Sequence, residues 1–304
     1  MEFGRSITPN VEPGPLVRRS ASGKQAGCGW LQVLTAALAF SAFLPASAAP
    51  IAAPQNCSKP VYLTFDTGHM GVAPWIAEVL QRQQVRVTFF AANEPTKEGD
   101  GSLGEYWATW WRERALEGHD FASHTFDHVY WRADLPGDAA AAEPRFQMKP
   151  SAGPLAGKTQ VLTAAEYCEE LARSNRRLEA ITGVPALPLF RAPGGKISPA
   201  LVAAARQCKT PQGQGYLHVA WADAGFLGDE LPSGPYPNAL LLKKALQNIR
   251  PGDILMAHLG IWSRQDPWAP AVLEPLIVGL KAKGFCFDTL RHHPLYRQQL
   301  ASQP

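Results

Sequence analysis

The chain has 304 residues, 46% hydrophobic and 18% charged, a globular balance that excludes a disordered protein and leaves ample apolar material for a core. Its formal net charge is +3; without Arg5, Arg18, Arg19, Lys24, Glu2 and Glu12 of the first 48 residues, 25 basic groups face 24 acidic ones. A surface this close to neutral gives no general case for nucleic acid or an anionic membrane as partner.

In chain order, residues 1–48 read first as an export signal. Arg18, Arg19 and Lys24 precede an apolar run over 31–44, and Ala46-Ser47-Ala48 follows as a small-x-small cleavage site. The run is short for a bilayer span, so a membrane anchor is the weaker reading and none is expected after cleavage. The remainder, 49–304, is expected to be a single catalytic domain, secreted or periplasmic. Export places Cys57, Cys168, Cys208 and Cys286 in an oxidising compartment. Four cysteines allow two disulfides by three pairings, and four buried thiols are the alternative.

From residue 59, short apolar runs alternate with amphipathic segments. Residues 61–65 (VYLTF) read as a strand, 73–83 as a helix with Ile76, Val79 and Leu80 on one face, and 85–91 as a second strand. A helix over 107–117 and a short strand over 120–122 follow. Residues 164–182 read as a long helix opened by Thr163 and stopped by Gly183. Strands over 187–190, 218–221, 254–257 and 285–289 then alternate with helices over 199–208, 240–249 and 271–283. Repeated βα units of this length predict an α/β domain with a parallel, barrel-like sheet and functional loops at the strands' C-terminal ends. Residues 132–162, rich in Pro, Ala and Gly, break the rhythm and read as a long loop on the functional face, a lid or an excursion.

The polar signals fall just after these strands. Asp66 follows the first, His124 and His128 the third, Arg191 the strand at 187–190, Asp223 the one at 218–221, and His258 the one at 254–257. A barrel rim is where independent loops assemble an active site. His124 and His128 are four apart, so on a helical turn both imidazoles face one metal. Taken singly each signal is weak: an H-x-x-x-H pair is as often solvated, and an Asp after a strand often caps a turn. Aromatic residues crowd the same loops. Trp107, Trp110 and Trp111 read as helix core, whereas Tyr130, Trp131, Trp262 and Trp268 follow motif residues on loops and suit a sugar-binding groove.

Together the motifs resemble those of the polysaccharide deacetylases (the NodB-homology family), over residues 59–290 and in the family's order. Thr64–Gly68 is similar to T-F-D-D-G, the stretch 124–128 to the family's H-[ST]-x-x-(x)-H, Arg191–Gly195 to R-x-P-x-G, and 254–258 to its closing strand plus histidine. The resemblance implies a distorted (β/α) barrel and a divalent metal, zinc first, cobalt or manganese otherwise. It implies a hydrolase releasing acetyl groups from an N-acetylated glycan: peptidoglycan, a chitin-type oligomer or an exopolysaccharide. On this pattern His124 and His128 are metal ligands, Asp66 the base, His258 the acid, Arg191 the group orienting Asp66, and Asp223 a carboxylate holding Arg191 or His258. Met256 would line the acetyl pocket, where the family usually has leucine, and Pro193, Gly194, Tyr130, Trp131 and Trp262 would meet substrate.

One departure matters. The family's second Asp, its carboxylate ligand, is Thr67 here, and a neutral hydroxyl is a poor ligand for Zn²⁺. Either Asp66 moves to the metal and another group acts as base, or His69 supplies a ligand, or the site is weak or dead. A non-catalytic glycan-binding protein and a small-amide or formamide hydrolase are therefore the rival functions. The sequence sets no oligomeric state.

Overall fold

The structure is a computed structural model that describes residues 49–54, 57–136, 143–211, 213–261, 264 and 266–301, so the export segment lies outside the described residues. In chain order the elements are β1 (Pro60–Asp66), α1 (Ala73–Arg82), β2 (Thr88–Ala91), α2 (Glu105–Leu116), β3 (Asp120–Ser123), β4 (Val129–Leu135), β5 (Arg145–Pro150) and β6 (Gln160–Thr163). They continue with α3 (Ala164–Thr182), β7 (Leu189–Phe190), α4 (Pro199–Gln207), β8 (Leu217–His218), α5 (Asn238–Asn248), β9 (Ile254–His258), α6 (Leu273–Ala282), β10 (Cys286–Phe287) and α7 (Arg297–Ala301).

β1 is the hub. It is buried along nearly its whole length, as a strand covered on both faces must be. It pairs in parallel with β2 and β9, and at Pro60 and Val61 with β10. The sheet continues in parallel from β2 through β3 and β7 to β8. The chain beyond β8 then bonds back to β9, where Ala222 N–H donates to Ile254 O (3.0 Å) and Leu227 N–H to Met256 O (3.2 Å). A mostly parallel sheet curls in this way into a distorted barrel with helices outside, which is the fold class expected from the βα rhythm.

Local sequence explains the helices. α3 has a full capping box: Thr163 Oγ1 accepts from Glu166 N–H while the Glu166 carboxylate accepts from Thr163 N–H. Gly183 ends the helix at φ 74°, a conformation glycine adopts without a Cβ clash. Trp107, Trp110 and Trp111 of α2 are buried as expected, with the Phe89 ring packed edge-on against Trp110 and Trp111 and Phe65 and Phe121 completing the cluster.

One expectation changes. The break at 132–162 is not a structureless loop: β4, β5 and β6 form a separate antiparallel sheet there, with Phe146 and Met148 fully buried. β4 mostly alternates half-buried and exposed positions and β5 half-buried and buried ones, runs too short to stand out among the Pro, Ala and Gly. The cysteines pair as Cys57–Cys286 and Cys168–Cys208, one of the three open pairings. Among the described residues no helix is long and apolar enough to cross a membrane.

Candidate functional site

The C-terminal ends of β1, β2, β3, β7 and β9 bring Asp66, Glu94, His124, His128, Arg191 and His258 to one rim. Asp66 is paired in register with His258 across β1 and β9, so a base and an acid candidate face each other by sheet geometry alone. Arg191 is fully buried, with Nη1 donating to Asp66 Oδ1 (2.7 Å) and Thr64 Oγ1 (2.8 Å). Thr64 in turn donates to Leu255 O (2.6 Å), tying the arginine to β9. The guanidinium packs over the rings of Phe90 and Trp221. Burial alone would raise the Asp66 pKa, but the Arg191 cation, with His124 and His258 beside it, outweighs burial and holds the carboxyl below its usual range.

The histidine pair converges for a different reason than the expected helical turn. Residues 124–128 form a turn in which Thr125 (φ 60°) and His128 (φ 50°) are left-handed, strained positions for non-glycine residues. The turn brings the rings to 4.8 Å centroid separation. His124 Nδ1 lies 2.8 Å from the Arg191 carbonyl, which can only accept, so Nδ1 donates to it. Its Nε2 faces Asp66 Oδ2 across 3.6 Å. His128 Nδ1 bonds to Ser151 Oγ, whose own proton is directed at His128 O (3.4 Å), so the neutral His128 keeps its lone pair on Nε2. Burial lowers its pKa to about 4 and keeps the ring neutral.

Two imidazoles, each with Nδ1 engaged by a protein group and Nε2 left for a ligand, fit a divalent cation; outer-sphere bonds of this kind fix metal-binding histidines. Thr67 does not fit: it is fully buried, and its Oγ1 accepts from Ala92 N–H (3.0 Å). Among the described residues no three His, Cys, Asp or Glu side chains are grouped as a ready metal cage. His69 does not complete one either. Its Nδ1 accepts from Gly71 N–H (3.0 Å), it bonds to the Ile261 backbone, and it packs on Gly260, away from the pair.

His258 is held by a residue the sequence did not reveal. Asp229 accepts from its backbone N–H (2.6 Å) and from Nδ1 (3.1 Å). Burial opposes charge on the ring, but Asp229, helped by Asp66 and Glu230, more than offsets it and raises the pKa to about 9. Glu230 Oε2 stands 3.8 Å from Nε2, at the open side. Asp223, expected to hold Arg191 or His258, does neither. β8 ends at His218, so by residue 223 the chain has already turned over β9, and the exposed Asp223 borders a separate cavity with Tyr236 and Lys244.

The groove residues divide. Tyr130 stays at the site, its half-buried ring 4.9 Å from that of His128 and packed on Gly194, whose φ of 63° and lack of a Cβ (one would lie 2.9 Å from Tyr130 Cε1) admit it. Pro193 is buried beside it. Trp131 instead bonds Asp134 within its own strand and packs on the core under β4, and Trp268 is buried in the main core. Trp262 lies outside the described residues. Met256 is buried on the same face of β9 as His258. Beside His258 a cavity of about 220 Å³ opens between His69, Trp75, Lys97 and Trp268; Trp75, on α1, is 46% exposed and gave no motif signal. Asp229, Glu94 and Ser151 were equally silent, each a loop residue with no motif around it.

Comparison with known proteins adds four findings. A family described as polysaccharide deacetylase matches residues 53–212. A chitooligosaccharide deacetylase of Azorhizobium caulinodans is 26% identical over 248 residues, 78% of this chain and 94% of that protein. Among solved structures, a family 4 acetyl xylan esterase from Clostridium thermocellum, in complex with a cobalt ion, superposes with a TM-score of 0.56 at 18% identity, over 79% of this chain and 92% of that one. A family 4 pseudoenzyme from Bacillus anthracis superposes with a TM-score of 0.52 at 18% identity, over 78% and 66%. At such identities the two structures support the fold alone.

Proposed function

The chain belongs to the polysaccharide deacetylase family, and from that premise we propose that it hydrolyses N-acetyl groups of a glycan outside the cytoplasm, with a divalent metal held by His124 and His128. The observation that carries the reading is the pair of oppositely tuned groups facing each other across β1 and β9. Asp66 is held ionised by Arg191 and His258 is held protonated by Asp229. Two titratable groups pushed apart in this way are suited to act as base and acid. The curated chitooligosaccharide deacetylase supports an N-acetylated substrate.

When bound, the metal, zinc first and cobalt or manganese otherwise, would polarise the acetamide carbonyl and acidify a water. The chain's own groups would do the rest. Asp66, with Oδ1 fixed on Arg191, presents Oδ2 to take the water's proton. His258 delivers a proton from Nε2 to the departing amine, which leaves as a neutral group as the C–N bond breaks. Asp229 holds Nδ1–H and thereby aims Nε2. Tyr130 and Trp75 offer flat apolar faces to the C–H faces of sugar rings at the two sides of the site. The signal-like pattern of residues 1–48 and two disulfides support export.

Incubating the purified chain and Zn²⁺, Co²⁺ or Mn²⁺ with chitin oligomers, peptidoglycan and poly-N-acetylglucosamine, and assaying acetate, tests the reading. Release from at least one glycan, greater than from small acetamides, is expected. Binding without release from any of them would favour the non-catalytic reading, and preference for a small acetamide the small-amide reading.

A further inference from the structure

We propose that Glu94 supplies the carboxylate that Thr67 lacks, completing the cation site of the two histidines from the neighbouring strand end. The inference rests on the metal reading above and names its third protein donor. Thr67 has lost its ligand function structurally as well as chemically, because its hydroxyl is spent on the Ala92 N–H. That bond anchors the segment that leaves β2, and two residues further on the segment presents Glu94. The Glu94 Oε1 lies 3.9 Å from His128 Nδ1, with both side chains largely buried (17% and 10% exposed). Each histidine thus has its own carboxylate: Asp66 beside His124 and Glu94 beside His128. Two imidazoles and two carboxylates are what a metal hydrolase with one acidic ligand and one acidic base requires.

The backbone under Glu94 is unusually well tied for a loop. Glu94 N–H donates to Ser102 Oγ (2.9 Å), Ser102 N–H donates to Glu94 O (2.9 Å), and Asn93 N–H donates to Phe126 O (2.7 Å), inside the histidine turn itself. Backbone and turn therefore move together, and only the side chain has freedom. The carboxylate lies at the Nδ1 edge of His128, so ligation at Nε2 would require a rotation of the glutamate's torsions, with the cation offsetting repulsion from Asp66. The other acids nearby face other partners: Asp66 faces Arg191, Asp229 and Glu230 face His258, and Asp127 faces Arg173. Among the described residues no lysine or arginine forms an ion pair with Glu94. With Glu94 as ligand, Asp66 remains free to act as base.

The test is a double-mutant cycle read by metal binding rather than turnover. Zn²⁺ and Co²⁺ affinities and the Co²⁺ absorption spectrum are measured for the full chain, Glu94→Gln, Thr67→Asp and the double variant, with Asp66→Asn alongside and Glu94→Ala as a second truncation. Melting of the metal-free proteins checks the fold. Glu94→Gln should weaken binding by more than about tenfold, already the size of losing a supporting partner, and alter the spectrum, whereas Asp66→Asn should keep its metal. Thr67→Asp should gain far more affinity in the Glu94→Gln background than in the native one, because it restores a lost ligand there. An additive cycle would reduce Glu94 to a residue that positions His128, and unchanged binding in Glu94→Gln would remove it altogether; either overturns the inference and leaves the metal reading intact. A native chain that binds neither ion overturns both.

Discussion

Replacing Asp229 by Asn probes the acid side of the mechanism directly. His258 is raised from 6.5 to about 9, against a burial penalty, by Asp229 first and by Asp66 and Glu230 after it. At about 1.4 kcal/mol per tenfold change in proton affinity, that rise favours the imidazolium by about 3 kcal/mol. With Asp229 neutral only the weaker pull of Asp66 and Glu230 opposes the burial penalty, and the ring should fall back toward its ordinary 6.5. At pH 8 the protonated fraction would then fall from about 90% to about 3%, about a 30-fold loss of kcat, whereas at pH 5.5 both proteins would remain about 90% protonated or more. Acetate release from pH 5.5 to 9.5 should therefore show the alkaline limb moving from near 9 toward 6.5, and NMR titration of His258 should move with it. Stability follows the same linkage: the contribution of the raised His258 is complete below pH 6.5 and disappears as pH rises through about 9, so the difference in Tm between native and variant should shrink there. A limb that stays near 9, or a loss equal at every pH, would refute the assignment of His258 as an acid tuned by Asp229.

Three further outcomes are expected. Arg191→Lys loses the planar guanidinium whose Nη1 donates to Asp66 and Thr64 while Nε donates to Val219 O; activity should fall sharply, and unfolding free energy by about 2 kcal/mol in urea titration, the worth of a charge-assisted bond. Gly194→Ala places a Cβ against Tyr130 at a positive φ; it should cost about 1 kcal/mol and raise KM for glycan more than it lowers kcat. Changing both Cys168 and Cys208 to Ser opens a loop of 40-residue span and should lower stability by about 4 kcal/mol on the chain-entropy account, measured by denaturant unfolding under oxidising conditions.

How far the sequence carried this reading depended on the kind of signal. The helix at Ala164–Thr182 was legible to the residue, because a capping box and a terminal glycine mark its ends chemically. Parallel strands were legible as apolar runs, although those at Leu189–Phe190, Leu217–His218 and Cys286–Phe287 shrank, since pairing rather than propensity sets their length. Residues that sit directly after a strand, Asp66, His124, Arg191 and His258, were found because the barrel brings strand ends together. Asp229 and Glu94 were missed because each reaches its histidine from a loop whose path depends on packing: one turns over β9, the other is fixed by Ser102 and Phe126. Asp223 was chosen for its position after a strand that ends sooner than its sequence suggested. Trp268 looked like a groove residue because it follows a motif residue on a loop; it is buried in the core, where it borders the cavity beside His258.

The most direct measurement of the central claim follows both products at once: acetate and new free amine on an N-acetylated glycan, with the purified chain, after chelation, after restoring metal, and with His258→Ala. The account predicts equal amounts of acetate and amine, loss on chelation, recovery with added metal, and a collapse of turnover in His258→Ala while glycan and metal still bind. Glycan bound with neither product formed, or acetate released undiminished without metal, would contradict it.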